Sequence, residues 1–209
     1  STGGYNTAIG KAALRANTTG GGNTAVGYHA LYTNTTGINN TAVGHAALAQ
    51  NTIGNSNTAL GYDALYVNST GGYNTAIGKA ALRANTVGVG NTAVGYHALY
   101  TNTTGQYNVA VGRHSLTYNT VGMHNIAMGF ESLKANTTGN YNVSIGHQAL
   151  LTNTTGGANT AIGSTSLYLN TVGVNNVAVG KNALYTNTTG NSNVALGYQA
   201  MKANTVGYE

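Results

Sequence analysis

Small, apolar and polar residues recur along this chain with a fixed period of 17 residues. We number the places of one row from 1 to 17, and the row at 23–39, NTAVGYHALYTNTTGIN, serves as the type. Place 4 carries only Ile, Val, Leu or Met, place 9 is Leu except for Met201, and places 3 and 8 carry Ala or Ser. Asn stands at places 1 and 12, and Gly stands at places 5 and 15. Self-similarity at such a short, constant period is typical of a solenoid, in which each row is one unit stacked on the next.

One row predicts one turn of a β-structure. Places 1–4 favour a short strand because they are rich in β-branched residues, and Gly at place 5 ends it. Places 6–11 fit either a second short strand or a single helical turn, whereas the Asn, Thr and Gly of places 12–15 predict a corner. The pattern therefore predicts an all-β fold, a parallel β-solenoid of twelve 17-residue coils, with residues 1–209 as a single repeat array. The coils, numbered 1 to 12, begin at Asn6, Asn23, Asn40, Asn57, Asn74, Asn91, Asn108, Asn125, Asn142, Asn159, Asn176 and Asn193.

The asparagines at places 1 and 12 are candidates for a structural ladder. Neighbouring coils of a β-solenoid lie ~4.8 Å apart, so identical side chains stack directly. Stacked amides can bond to one another and to backbone groups at the corners. The alternative is that Asn only tolerates the left-handed backbone of a turn. The ladder residues named on this basis are Asn6, Asn23, Asn40 and Asn57 at place 1, and Asn17, Asn34, Asn51 and Asn68 at place 12.

The strand pattern leaves open which residues face the inside of the coil. Side chains alternate along a strand, so places 2 and 4 point to one face and place 3 points to the other. If Ala at place 3 faces a narrow interior, places 2 and 4 form an outward stripe of Thr, Val and other aliphatic residues. Three chains around one axis would cover that stripe, and we expect self-association as a homotrimer or a filament bundle. The opposite arrangement, with place 4 inside, gives a self-sufficient monomer.

The amino-acid composition argues against several kinds of partner and site. Only 5% of the residues are charged, and eight Lys and Arg give a net charge of +5. Cations this sparse are not typical of a nucleic-acid-binding surface. Cys is absent, which excludes disulfides and thiolate metal sites. No apolar run approaches the ~18 residues of a membrane span, and no signal-peptide pattern is present. The array opens and closes in mid-row, so we expect it to be part of a longer fibre.

Residues that could carry catalysis or hold a metal are few and scattered. The acids are Asp63, Glu131 and Glu209, and four coils, or ~19 Å, separate the first two. That distance is far beyond the spacing of a glycosidase carboxylate pair. The six histidines fall at places 6, 7 and 17, and we interpret them as surface residues rather than as metal ligands. We therefore predict no enzyme activity, no cofactor and no metal.

Tyrosines recur at places 6 and 10 of alternate coils. Two coils correspond to ~10 Å, a spacing that suits stacking on sugars or packing against another fibre. The alternative is that each ring only shields the edge of its coil. The candidate binding face consists of Tyr28, Tyr32, Tyr62, Tyr66, Tyr96 and Tyr100.

The segments N-T-A-V-G and N-V-A-V-G resemble the N-S-V-A-I-G core of the head repeats of YadA-like trimeric autotransporter adhesins. Similar N-T-A-V-G-x-x-A-L arrays occur in phage tail-fibre proteins and bacterial surface proteins. The resemblance covers the whole chain, although the family repeat is shorter. It implies a left-handed, trimeric parallel β-roll that lies outside the cell, at the cell surface or in a phage tail fibre.

Two functions fit this pattern. The first is a structural and adhesive fibre, whose many coils give reach and a repeated weak binding surface for carbohydrate or other fibres. The second is an ice-binding or lattice-binding solenoid, because Thr at place 2 of coils 1 to 6 would form an array with ~4.8 Å steps. Val or Ile replaces Thr at this place in most later coils, so the fibre is the favoured function.

Overall fold

A computed structural model describes residues 3–205, and Glu209 lies outside the described residues. Twelve three-residue strands form one parallel sheet in chain order. The prediction of an all-β parallel solenoid with about 17 residues per turn is confirmed, and residues 3–205 contain no helix. The strands are β1 (Thr7–Ile9), β2 (Thr24–Val26), β3 (Thr41–Val43), β4 (Thr58–Leu60), β5 (Thr75–Ile77), β6 (Thr92–Val94), β7 (Val109–Val111), β8 (Ile126–Met128), β9 (Val143–Ile145), β10 (Thr160–Ile162), β11 (Val177–Val179) and β12 (Val194–Leu196).

Strand pairing follows the sequence period without a shift. Ala93 in β6 pairs with Ala110 in β7, 17 residues further along the chain, and the same offset holds for every neighbouring pair of strands. Because no row gains or loses a residue, each coil places the same type of side chain above the previous one.

Glycine at place 5 ends each strand for a steric reason. Gly95 has a φ of 133°, and its amide donates to Ile77 O of the preceding coil at 2.8 Å. A Cβ at this position would lie 2.7 Å from Gly112 O of the following coil. Left-handed backbone and close contact between coils therefore both require Gly here.

The interior of the coil is narrow and is built from places 3, 8 and 9. In coil 6, Ala93, Ala98 and Leu99 are fully buried, whereas Thr92 and Val94 on the same strand are only half-buried. Place 3 thus faces the inside and place 4 the outside, so the alternative with place 4 inside is wrong. Ser144, the one Ser at place 3, stays buried because its hydroxyl donates to Ala149 O at 2.8 Å and meets the Ser132 hydroxyl at 2.7 Å.

Places 6–11 form neither a second strand nor a helical turn. The backbone φ angle alternates in sign along these places, and it is positive at His97 (54°) and at Leu99 (53°). Successive amides therefore point to opposite neighbours: His97 N donates to Lys79 O in the preceding coil, and Leu99 N donates to Ser115 O in the following one. A left-handed Leu costs about 1–2 kcal/mol. Complete burial of its side chain, worth about 1.5–3 kcal/mol, offsets that cost.

Asparagines at place 12 form a ladder through the stack. Asn85 Nδ2 donates to Asn68 Oδ1 of the preceding coil at 2.8 Å and to Gly88 O of its own corner at 3.0 Å. Asn102 Nδ2 in turn donates to Asn85 Oδ1 at 3.0 Å. The same side-chain bond links the residues named from the sequence, Asn17, Asn34, Asn51 and Asn68.

A second ladder runs along place 1. Both the amide N and Nδ2 of Asn91 donate to Asn74 Oδ1 of the preceding coil, at 2.9 and 3.3 Å. Nδ2 also donates to Gly105 O, at 2.9 Å, so the two ladders meet on the carbonyls of place 15. The same two bonds join Asn23, Asn40 and Asn57, and the backbone amide of Asn23 donates to Asn6 Oδ1.

Candidate functional site: the strand face and the aromatic face

Two surfaces run along the stack and differ in chemistry. The strand face consists of the outward side chains of places 2 and 4. The aromatic face consists of the side chains of places 6, 7 and 10, which the alternating backbone of the turn segment directs outward while places 8 and 9 fill the interior.

The strand face is an uncovered sheet surface that becomes more apolar along the chain. Place 2 is Thr in β1 to β6, and coils 7 to 9 carry only aliphatic residues at places 2 and 4. At place 4, Val111, Met128 and Ile145 are 36%, 39% and 37% exposed. Eleven steps of ~4.8 Å by a width of ~10 Å give an area of roughly 500 Å². This area is within the range of the largest apolar patch on a typical monomer, which is often functional, and Thr at place 2 contributes part of it in β1 to β6 and in β10.

Place 6 of the aromatic face forms a column of rings and cations. Ring centroids lie 5.1 Å apart between Tyr28 and His45 and 4.7 Å apart between His45 and Tyr62. Lys79 Nζ lies 5.7 and 5.9 Å from the ring centroids of Tyr62 and Tyr96. Each cation is thus shared between two aromatic rings, an arrangement that stabilises both neighbours.

The column continues for three more coils. The Arg113 guanidinium lies 5.8 Å from the Tyr96 ring centroid and 5.7 Å from that of Phe130. Phe130 stacks on His147 at 5.4 Å. Eight consecutive coils therefore contribute one member each, from Tyr28 to His147.

Histidines at place 7 connect places 6 and 10 within a coil. His29 lies 3.9 Å from the Tyr28 ring and 4.6 Å from the Tyr32 ring. In coil 6, the His97 ring centroid lies 4.0 Å from that of Tyr96 and 4.5 Å from that of Tyr100.

All six tyrosines named from the sequence lie on the aromatic face. Tyr28, Tyr62 and Tyr96 at place 6 are 42%, 50% and 38% exposed. Their partners at place 10, Tyr32, Tyr66 and Tyr100, are half-buried. From the sequence, Lys79 falls between the tyrosines and the histidines are interpreted as surface residues, but His45, Lys79 and Arg113 are not grouped with the tyrosines into one column. Following place 6 from coil to coil would have revealed the alternation.

Some charged groups on this face are hydrogen-bonded or partly buried. Hydrogen bonds from Lys134 Nζ at 2.6 Å and Gln148 Nε2 at 2.8 Å hold the pKa of the Glu131 carboxyl below its usual value. Burial lowers the pKa of His97 and of His114, and nearby positive groups lower both further.

A groove opens on the aromatic face at coils 2 to 4, with a volume of about 440 Å³. The Asp63 carboxylate lies at its edge, with Oδ2 3.5 Å from Arg83 Nε and Oδ1 3.9 Å from His45 Nδ1. The side chain of Asp63 is only 16% exposed, whereas those of His45 and Arg83 are 46% and 34% exposed. Ala46 and Ala49 of coil 3 also line the groove.

Within residues 3–205, no group of three or more His, Asp or Glu side chains is placed to hold a metal ion. The described part of the chain also has no helix long and apolar enough to cross a membrane. Comparison of the chain with protein families, with curated proteins and with solved structures found no match.

Proposed function

We propose that this chain is a segment of an extracellular fibre that provides reach and a repeated surface for attachment. The observation that carries the proposal is the unbroken register of the stack from β1 to β12. A solenoid in which each coil contacts only its neighbours grows in length, and not in width, as coils are added. The aromatic face repeats along the same axis, so weak contacts made by several coils add in avidity.

The second part of the proposal is that the fibre is a homotrimer held together by the strand face. An exposed row of Val, Ile, Leu and Met on a regular parallel sheet favours burial against an identical row, since all copies share the same ~4.8 Å spacing. Its area of roughly 500 Å² is comparable to the apolar patches that are often functional on protein surfaces. Charged residues do not interrupt places 2 and 4 in any coil.

Light scattering of the purified chain tests the self-association. We expect a mass of three times 21.2 kDa for the natural chain and 21.2 kDa for a Val111→Lys/Ile145→Lys variant. Two lysines on the strand face bring like charges together at the axis and require their desolvation. The matched control is Thr104→Lys/Thr138→Lys, at exposed positions of place 14, and it should remain trimeric. A monomeric natural chain would contradict this part of the proposal.

A second candidate function is binding to ice or to another regular lattice. It is favoured by the Thr residues of β1 to β6, which pair in register at place 2. Thermal hysteresis of a concentrated solution tests the ice-binding form of this candidate, because adsorption to ice produces it and a fibre function does not. We expect no hysteresis, since this Thr row is one residue wide and is bordered by the aliphatic residues of place 4.

A further inference from the structure

The groove on the aromatic face arises from one small residue at place 10. Along coils 1 to 5 this place holds, in order, Arg15, Tyr32, Ala49, Tyr66 and Arg83. Ala49 is the only Ala at place 10 in the twelve coils, and it is 6% exposed. The neighbouring Ala46 at place 7 is 5% exposed. Coil 3 therefore supplies a floor of methyl groups between two coils with large side chains.

Tyr32 and Tyr66, from coils 2 and 4, line the groove on either side of this floor. The Arg15 guanidinium lies 5.6 Å from the Tyr32 ring centroid, and that of Arg83 lies 5.0 Å from the Tyr66 ring centroid. These arginines come from coils 1 and 5, and Arg15 Nη1 also donates to the Tyr32 hydroxyl at 2.8 Å. Tyr32 and Tyr66 are two coils apart, or ~9.6 Å along the stack, and Ala49 lies in the coil between them.

Polar groups surround the gap and are suited to hydroxyl ligands. Asp63 makes only long contacts with Arg83 and His45, at 3.5 and 3.9 Å, so its carboxylate keeps the capacity to accept further hydrogen bonds. Arg83 and Gln50 offer donors beside it. One carboxylate next to one guanidinium gives this edge no strong preference for an anion or a cation.

We propose that the groove between Tyr32 and Tyr66 binds one neutral pyranose ring of a glycan. The C–H groups of such a ring pack against the negative face of an aromatic ring, and Tyr32, Tyr62 and Tyr66 all line the groove. Its hydroxyls both donate and accept, which matches Asp63, Arg83 and Gln50. The volume of about 440 Å³ is within the range of small-molecule sites.

This inference rests on the attachment role proposed above and names its ligand class. A single shallow site of this kind binds weakly, and a trimer would present three copies of it, so that avidity raises the effective affinity for a glycan-coated surface.

Saturation-transfer NMR tests the site with methyl glycosides of glucose, galactose, mannose and N-acetylglucosamine, and with N-acetylneuraminic acid as the anionic member. We expect transfer to the ring protons of at least one neutral sugar. An Ala49→Tyr variant should weaken binding at least tenfold, because it fills the gap with the side chain that place 10 carries in coils 2 and 4. Because that substitution places the most frequent residue of place 10 in coil 3, we expect the variant to fold, and circular dichroism checks this.

Tyr66→Ala should weaken binding of the same sugar at least fivefold. The matched control Tyr185→Ala, at place 10 of coil 11, should leave that binding unchanged. Failure of all neutral sugars, binding of the anionic sugar alone, or full binding by the Ala49→Tyr variant would overturn the inference. Light scattering of the same samples separates the two proposals. A monomer that binds sugar refutes only the trimer, and a trimer that binds none refutes only the groove.

Discussion

At the scale of single residues, the stack depends on amides that are completely buried and hydrogen-bonded. Asn85 is fully buried, and its side chain both donates and accepts along the place 12 ladder. A buried amide is costly unless its groups are paired, so each rung is stable only while the neighbouring coils supply the next one.

An Asn85→Ala substitution should lower the free energy of unfolding by about 2–4 kcal/mol, because it leaves Asn68 Oδ1 and one Asn102 N–H unpaired in the interior. Chemical denaturation measures this loss. Thr104→Ala, at an exposed position of the next corner, is the control and should change stability by less than about 0.5 kcal/mol. Equal losses for the two variants would show that the ladder contributes little.

Protonation of two histidines should make stability depend on pH. Burial, and then nearby positive charges, lower the pKa values of His97 and His114 below 6.5 in the folded chain. The unfolded chain therefore binds protons more readily, and stability is present above pH 6.5 and falls as the pH drops through 6.5 towards the folded values. Glu131 does not offset this fall, because its lowered pKa keeps it ionised over the same range.

Melting curves between about pH 7.5 and pH 5.5 test this expectation. The natural chain should melt at a lower temperature at the acidic end of this range. The melting temperature of a His97→Asn/His114→Asn variant should fall less over the same range. Asn suits the control because it tolerates the left-handed backbone of place 7. If the melting temperature depended on pH equally in both proteins, titratable groups other than His97 and His114 would be responsible.

At the scale of the element, one coil is a three-residue strand, a turn segment of alternating φ and an Asn-Gly corner. The strand alone is too short to be stable, and each of its hydrogen bonds goes to a neighbouring coil. Stability therefore resides in the contact between coils, which explains why positions of closest approach tolerate so little change.

A Gly95→Val substitution should destabilise the chain by about 3 kcal/mol or more, since it combines a strained left-handed backbone with a Cβ pressed against Gly112 O. Tyr96→Ala, one residue further on, removes ring contacts from a surface residue and should cost only about 1 kcal/mol. Thermal unfolding compares them, and similar melting temperatures would contradict the assigned role of place 5.

At the scale of the whole molecule, the hydrophobic interior runs along the axis of the stack and is not concentrated at one point. Each coil packs on the coil before and the coil after it, and identical places form continuous rows of Asn, Leu and Ala through the interior. Stability is then close to a sum over coils and the contacts between neighbours.

Deletion of residues 108–124 removes one complete coil and should leave a folded chain, because Asn91 then stacks on Asn125 in the original register. Deletion of only 108–116 should abolish cooperative unfolding, because it places polar residues of one coil against the apolar interior of the next. Circular dichroism and thermal melts measure both. If the chain that lacks residues 108–116 still folds, the register between coils is not what stabilises the stack.

Some features of this protein follow from its sequence alone, and others depend on the tertiary structure. By itself the sequence determined the period, the parallel stacking and the positions of the ladders, because a repeat of constant length forces identical residues above one another. Only the tertiary structure decided that place 4 faces outward and that Leu99 adopts a left-handed conformation, since both depend on the narrow interior that the closed coil leaves. The groove at Ala49 also needed the structure, because it depends on how the side chains of adjacent coils pack around one small residue.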